Sequence, residues 1–280
     1  MAPLLVALPI QPLALPLAVA MAAAIAVAAW RLRALSPSGA IAATVVGSVA
    51  MRGGWPWAWY LLSWFTVSVL LSRWGRARKQ ARTADVVAKG DRRDAWQVLA
   101  NGGVFAVAGW LDGVLAGGTG WLVVAACGAL AAAGADTAGT EVGTAWGRDP
   151  WSLRTRGRVP PGSSGAVTVL GLVGTFGGAA VFTMFAVGIG PVPIAAAPAL
   201  FTGAVAGALA DTLLGAWWQA RRWCVPCGRE TEQRVHACGS TTRHLAGLPW
   251  LENDLVNLLC TLVGAATAAA AGFVSAPRFP

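Results

Sequence analysis

Four carboxylates stand out because they fall in or at the ends of apolar runs: Asp136, Glu141, Asp211 and Asp254. A charge at membrane depth is costly, so each needs a partner or a task. Asp211 belongs to the series Gly203, Gly207, Asp211, Gly215, Gln219. Steps of four keep these residues on one slowly drifting helix face, and the glycines let a neighbouring backbone come close. Two readings are open for Asp211: a buried, paired packing residue, or a ligand for an ion or a metal-bound phosphate. Gly134–Gly143 is the densest polar stretch inside an apolar run. Asp136, Gly139 and Gly143 share a face, whereas Glu141 lies about 140° round an ideal helix from Asp136. Those two carboxylates reach one ion only where the helix ends or unwinds. Hard carboxylate oxygens are what Mg2+ takes. Asp136 and Asp211 are therefore candidate metal ligands, and all four acids are candidate catalytic groups.

Other polar residues recur with helical spacing. Arg93, Gln97 and Asn101 form a ridge that enters an apolar run. Asn253, Asp254 and Asn257 cluster at the start of another; capping accounts for Asn253 or Asp254 but not for Asn257. Arg148, Arg154, Arg156 and Arg158 precede Val159-Pro-Pro-Gly162-Ser163-Ser-Gly165. Arginines, a glycine turn and a following helix N-terminus suit an anion, although ordinary basic charge beside a membrane explains the arginines equally well. The segment lacks the Gly-Lys-Ser/Thr of a P-loop. Cys224, Cys227, His236 and Cys238 offer four soft ligands within fifteen residues. Cys-x-x-Cys-Gly suits tetrahedral Zn2+, His-x-Cys is a less usual second half, and a redox pair or free thiols are the rival readings. Cys127 and Cys260 lie in apolar runs and read as small hydrophobes.

The elements that must hold these groups are membrane helices. Of 280 residues, 56% are hydrophobic and only 12% charged, about half the charge of a soluble domain, and mean hydropathy is +0.60. Apolar spans run at 11–30, 38–51, 55–72, 98–116, 120–140, 164–189, 194–217 and 250–273. The expected fold is an all-α, polytopic bundle of about eight transmembrane helices. It forms a single integral membrane domain over 1–280, with inserted cytoplasmic loops at 73–95, 143–163 and 218–249, the last carrying the Cys/His motif. The first span has no basic residue before it and is not read as a signal peptide. The net charge of +9 would suggest nucleic acid in a soluble protein. Here no basic surface interleaved with aromatics points to such a partner. Instead the loops after the first, third, fifth and seventh spans hold two, eight, four and five of the 21 basic residues. By the positive-inside rule those loops are cytoplasmic and both termini lie outside a cell membrane. Many of the 15 tryptophans fall near span ends, as interfacial belts do.

The pieces Arg93-Asp-Ala-Trp-Gln97-Val-Leu-Ala-Asn101-Gly, Ala135-Asp-Thr-Ala-Gly-Thr-Glu141-Val-Gly, Val159–Thr168, Asp211-Thr-Leu-Leu-Gly-Ala-Trp-Trp-Gln219, Cys224–Gly239 and Asn253-Asp-Leu-Val-Asn257 together resemble the membrane family of the plant phytyl-phosphate kinase and its uncharacterised transmembrane relatives. They span most of the chain in a consistent order. More distantly, Asp136-Thr followed by a basic, proline-containing loop looks like the polyprenol kinases and phosphatidate cytidylyltransferases. The resemblance implies a kinase that uses CTP or another NTP to phosphorylate an isoprenoid monophosphate lipid. It implies Mg2+-nucleotide at Asp136 and Asp211, with Arg93, Gln97, Asn101, Arg148, Arg158, Gly162, Ser163, Gln219, Asn253 and Asn257 around the phosphates. A lipid nucleotidyltransferase is the nearest enzymatic alternative. An ion-coupled transporter is the alternative from another class, opposed by charges that cluster at one membrane face and by the lack of an inverted repeat.

Overall fold

The computed structural model describes residues 13–87, 92–115 and 120–275. Residues 88–91 of the loop 73–95, residues 11, 12 and 116 of two expected spans, and both chain ends lie outside them. The long helices follow the apolar runs in order: α1 (Leu15–Arg31), α2 (Pro37–Arg52), α3 (Trp55–Arg73), then a short basic α4 (Arg76–Thr83), α5 (Ala95–Val114), α6 (Trp121–Trp146), α7 (Val169–Gly188), α8 (Ala197–Trp217) and α9 (Asn253–Ser275). Their starts are written locally. Ser36 accepts a hydrogen bond from the Gly39 amide, Thr168 accepts one from that of Gly171, and Asp94 with Gln97 forms a capping box, each satisfying an otherwise orphaned donor.

Each of the eight expected spans is occupied by a helix. Among the described residues four helical segments are long and apolar enough to cross a membrane: Trp121–Trp146, Val169–Gly188, Ile194–Trp217 and Asn253–Phe273. The others fall short for physical reasons. Helices α1 and α2 have 17 and 16 residues, against about 20 for a bilayer core. Tryptophan, serine, asparagine and glycine dilute α3 and α5.

The all-α expectation needs one correction. Two small antiparallel sheets lie in the polar connections. In the first, β1 (Trp151–Ser152) pairs with β2 (Gly157–Arg158) and β3 (Ala166–Val167); in the second, β4 (Arg221–Cys224) pairs with β5 (Arg229–Thr231) and β6 (Arg243–Ala246). Strands of two to four residues are too short to carry a readable alternation.

Helix α6 is the hub, touching α3, α4, α5, α7, α8 and α9. Small residues permit this. A Cβ on Gly207 would lie 2.6 Å from Ala132 Cβ and from the Cys260 carbonyl, and one on Gly264 would lie 2.4 Å from Ala132 Cβ. Without a hydrophobic drive in lipid, such close backbone approach is how helices associate. Deep in the bundle, the Tyr60 hydroxyl donates to the Cys127 carbonyl at 3.1 Å. At one end of the bundle, Arg82 donates to the carbonyls of Thr144, Ala145 and Gly147 and so caps α6, the position where a cation suits the helix dipole.

Candidate functional site: an acidic cavity beside an apolar slot

A cavity of about 850 Å3 opens among the ends of α6, α7, α8 and α9. Asp136 lines it from α6, Asp211 from α8, and Asp254 from the first turn of α9; Gln97, Gly162, Ser163, Gln219 and Asn253 also face it. Convergence follows from the spacing. Asp136, Gly139, Thr140, Gly143 and Thr144 form one strip of α6, and α7 packs onto its glycines: a Cβ on Gly139 would lie 2.1 Å from Thr175 Oγ1. The wall 161–168 is held against α8 by Gly165. Its φ is +68°, and a Cβ there would sit 2.3 Å from the Ala216 backbone, so only glycine serves.

The remaining expected site residues lie elsewhere. Glu141 accepts hydrogen bonds from Ser72 Oγ and Lys79 Nζ, pointing towards α3 and α4. The 140° offset from Asp136 persists because α6 neither ends nor unwinds there. Asn101 Nδ2 donates to the Gln97 carbonyl at 2.8 Å, one turn back. Asn257 is partly buried on α9 outside the cavity lining. Arg148, ahead of β1, and Arg158, in β2, are both exposed, Arg158 pairing with Asp149 at 3.3 Å. The cavity's arginines are instead Arg222 and Arg234, both held by Glu252 Oε1, at 3.2 and 2.7 Å.

The roof comes from the second sheet and its loops. Glu232, Gln233, Arg234, Val235 and Ala237 line the cavity. The roof is tied to the stretch after α4: the Glu232 amide donates to the Val86 carbonyl at 2.9 Å, and Gln233 Nε2 to those of Ala84 and Val87. Ser164 Oγ donates to the Glu232 carboxylate. Burial pushes the Glu232 carboxyl up to about 7. The sequence carried no sign of Glu232, which sits in a loop without periodicity. The strip Thr140–Thr144 was findable, since both threonines continue the steps of four from Asp136. The Asp211 Oδ2 is buried with no hydrogen-bond partner. Five carboxylates (Asp136, Asp211, Glu232, Glu252, Asp254) thus face two arginines, an environment that favours a cation. Hard oxygens with one unpartnered buried acceptor fit Mg2+ carried by a polyphosphate.

Two further recesses adjoin. An apolar slot of about 160 Å3 lies among α1, α2, α3 and α5; Ile25, Trp55 and Trp59 in its wall are exposed, so it opens on the outer surface. Arg93 and Gln97 stand among its lining, and Gln97 is shared with the acidic cavity. Arg93 also borders a recess of about 390 Å3 with Arg33, Ser72, Arg73 and Arg76. Its backbone is pinned to Ala34 and Ser36, its guanidinium lies over the Trp64 and Phe65 rings, and Nη1 is buried without a partner. Arg33, Arg73 and Arg76 had read only as topology signals.

The profile of the integral membrane protein family DUF92 matches residues 20–265. The chain belongs to that family. This DUF92 member is similar to an uncharacterised membrane protein of Methanocaldococcus jannaschii, 28% identical over 237 residues and 83% of each chain. It is also similar to Protein PGR of Arabidopsis thaliana, 28% identical over 270 residues, which are 88% of this chain and 92% of that protein. An uncharacterised membrane protein of Synechocystis is 26% identical over 240 residues, 84% of this chain and 81% of its own. No solved structure matches this DUF92 member significantly.

Proposed function

We propose that this protein is a kinase, using CTP or another NTP as donor, that converts an isoprenoid monophosphate lipid to the diphosphate. The observation that carries this reading is the junction at Gln97, where a carboxylate-lined polar cavity meets an apolar slot ending at a pinned arginine. The nucleotide enters the cavity. Asp136 and Asp211, with Glu232 beside them, hold its Mg2+, which supplies neutralisation of the phosphate charge. Arg222 and Arg234 face the phosphates. The lipid tail lies in the slot, and its phosphate reaches Arg93 with Arg33, Arg73 and Arg76 close by. An oxygen of the lipid phosphate attacks the terminal phosphorus of the nucleotide. The bond from that phosphorus to its bridging oxygen breaks, and nucleoside diphosphate leaves with the electron pair. An ionised acceptor has no proton to lose, so positioning and charge neutralisation carry the rate.

In this reading all eight apolar helices cross a cell membrane, the basic loops and the cavity face the cytoplasm, and both chain ends lie outside. The test is purified protein with CTP, Mg2+ and a panel of prenyl monophosphates, products read by mass. Prenyl diphosphate with CDP is expected. Pyrophosphate with a CDP-linked lipid would make the protein a nucleotidyltransferase, and no transfer to any lipid phosphate would overturn the reading.

A further inference from the structure

Cys224 closes β4, Cys227 lies in the tight turn to β5, and His236 and Cys238 lie in the connection to β6. Their donor atoms all fall within 4.8 Å of one another. Cys224 Sγ is 3.6 Å from Cys238 Sγ, and His236 Nδ1 is 3.6 Å from Cys227 Sγ and 3.3 Å from Cys238 Sγ. A tetrahedral Zn2+ with Zn–S of about 2.3 Å and Zn–N of about 2.0–2.1 Å has S···S edges near ~3.8 Å and S···N edges near ~3.6 Å. The three short separations, 3.6, 3.6 and 3.3 Å, lie within a few tenths of an ångström of those edges. They are far from a disulfide, whose sulfurs sit about 2.05 Å apart.

The local backbone is built for the same purpose. Each pair ends in a glycine of positive φ, Gly228 at +60° and Gly239 at +84°. The Gly228 amide donates to the Cys224 carbonyl, four residues back, and that of Gly239 to the His236 carbonyl, three residues back, closing a turn on each side of the centre. Cys224 and His236 are buried, yet the sheet has little apolar core of its own, and Trp223, Val225, Val235 and Leu245 are exposed. A module this small needs a staple.

The geometry points to one Zn2+ bound by Cys224, Cys227, His236 and Cys238 in a closed four-ligand site, and to a task for it: holding the roof of the acidic cavity. Arg222, Glu232, Gln233 and Arg234 line the cavity and flank or separate the ligands in sequence, so their positions depend on the centre. With no open coordination position the metal takes no part in chemistry. This inference does not rest on the kinase reading, and its test measures no catalysis.

The full chain purified in detergent without chelator should contain about one zinc per molecule by elemental analysis. Cobalt exchange should give the thiolate charge-transfer and intense d–d bands of a tetrahedral site. Chelation should expose 221–246 to protease while the helices stay intact, and added zinc should restore protection. Cys224→Ser with Cys227→Ser should lose the metal. His236→Cys, which keeps four ligands, should retain it and guards against a misfolded double variant. Monodisperse, zinc-free protein with a protease-resistant roof, or a Cys224–Cys227 disulfide found by mass, would overturn the proposal.

Discussion

The half of the bundle built from α6 to α9 and the half built from α1, α2, α3 and α5 treat charge in opposite ways. In the first, long alanine- and glycine-rich helices leave a polar cavity whose carboxylates outnumber its arginines five to two. In the second, shorter helices enclose an apolar slot, and the nearby charges are four arginines at one end. The two halves meet at Gln97. An anion that arrives with its own divalent cation suits the first half, and an anion that arrives on an apolar chain suits the second. The difference teaches that the folding of each loop, and not its basic composition, decides which arginines reach a cavity.

Three experiments bear on that contrast. The largest effect is expected from Asp136→Asn and Asp211→Asn. On the proposed reading each removes a Mg2+ ligand while nearly keeping its shape, so turnover should fall roughly 10²-fold or more with melting and monodispersity unchanged. Well-folded variants with near-normal activity would return both aspartates to packing.

Arg93→Ala comes next. Loss of a charge-assisted contact is worth about 1.5–3 kcal/mol, so KM for the lipid phosphate should rise roughly 10- to 100-fold while KM for CTP barely moves. Equal rises in both constants would erase the division between the halves.

The smallest effect concerns Glu232, whose carboxyl burial raises from 4.5 to about 7. Below pH 4.5 the folded and unfolded chains both carry the proton, and nothing is lost. Between 4.5 and 7 the unfolded chain ionises first, so stability declines; above 7 the loss is complete. Glu232→Gln should remove that decline, leaving a variant more stable than the parent above pH 7 by on the order of 1 kcal/mol, discounted for partial exposure. A variant whose melting temperature tracks the parent across that pH range would show that Glu232 is well solvated.

The sequence was most legible where helical periodicity carried the signal. Steps of four from Asp136 and Asp211 marked two faces that do converge, and the 140° separation of Glu141 warned that it would point elsewhere, as its contact with Lys79 shows. Legibility failed where position depends on how a loop folds. Arg148 and Arg158 sit in a basic loop ahead of a glycine turn, but that loop folds around the short strands β1 and β2 with both side chains exposed. Glu232 and Arg222 reach the cavity through a sheet whose strands are too short for a pattern. Arg33, Arg73 and Arg76 looked like topology signals because nothing in a loop's composition reveals the recess it borders.

The position of the hub in the chain fixes an order of assembly. Helix α6 is made after α1 to α5, so during synthesis those five segments exist before the helix that most of the later bundle packs on. Lys79, buried in the finished protein, then has no Glu141 to receive its proton-rich end, and Arg82 has no helix terminus to cap. Until the sixth helix emerges Lys79 has only the Leu71 and Ser72 carbonyls of the early half, and its ion pair with Glu141 then joins the early and late halves. Lys79→Met should therefore slow maturation of the nascent chain more than it lowers the melting temperature of the finished protein, a difference that pulse-chase protease resistance would read.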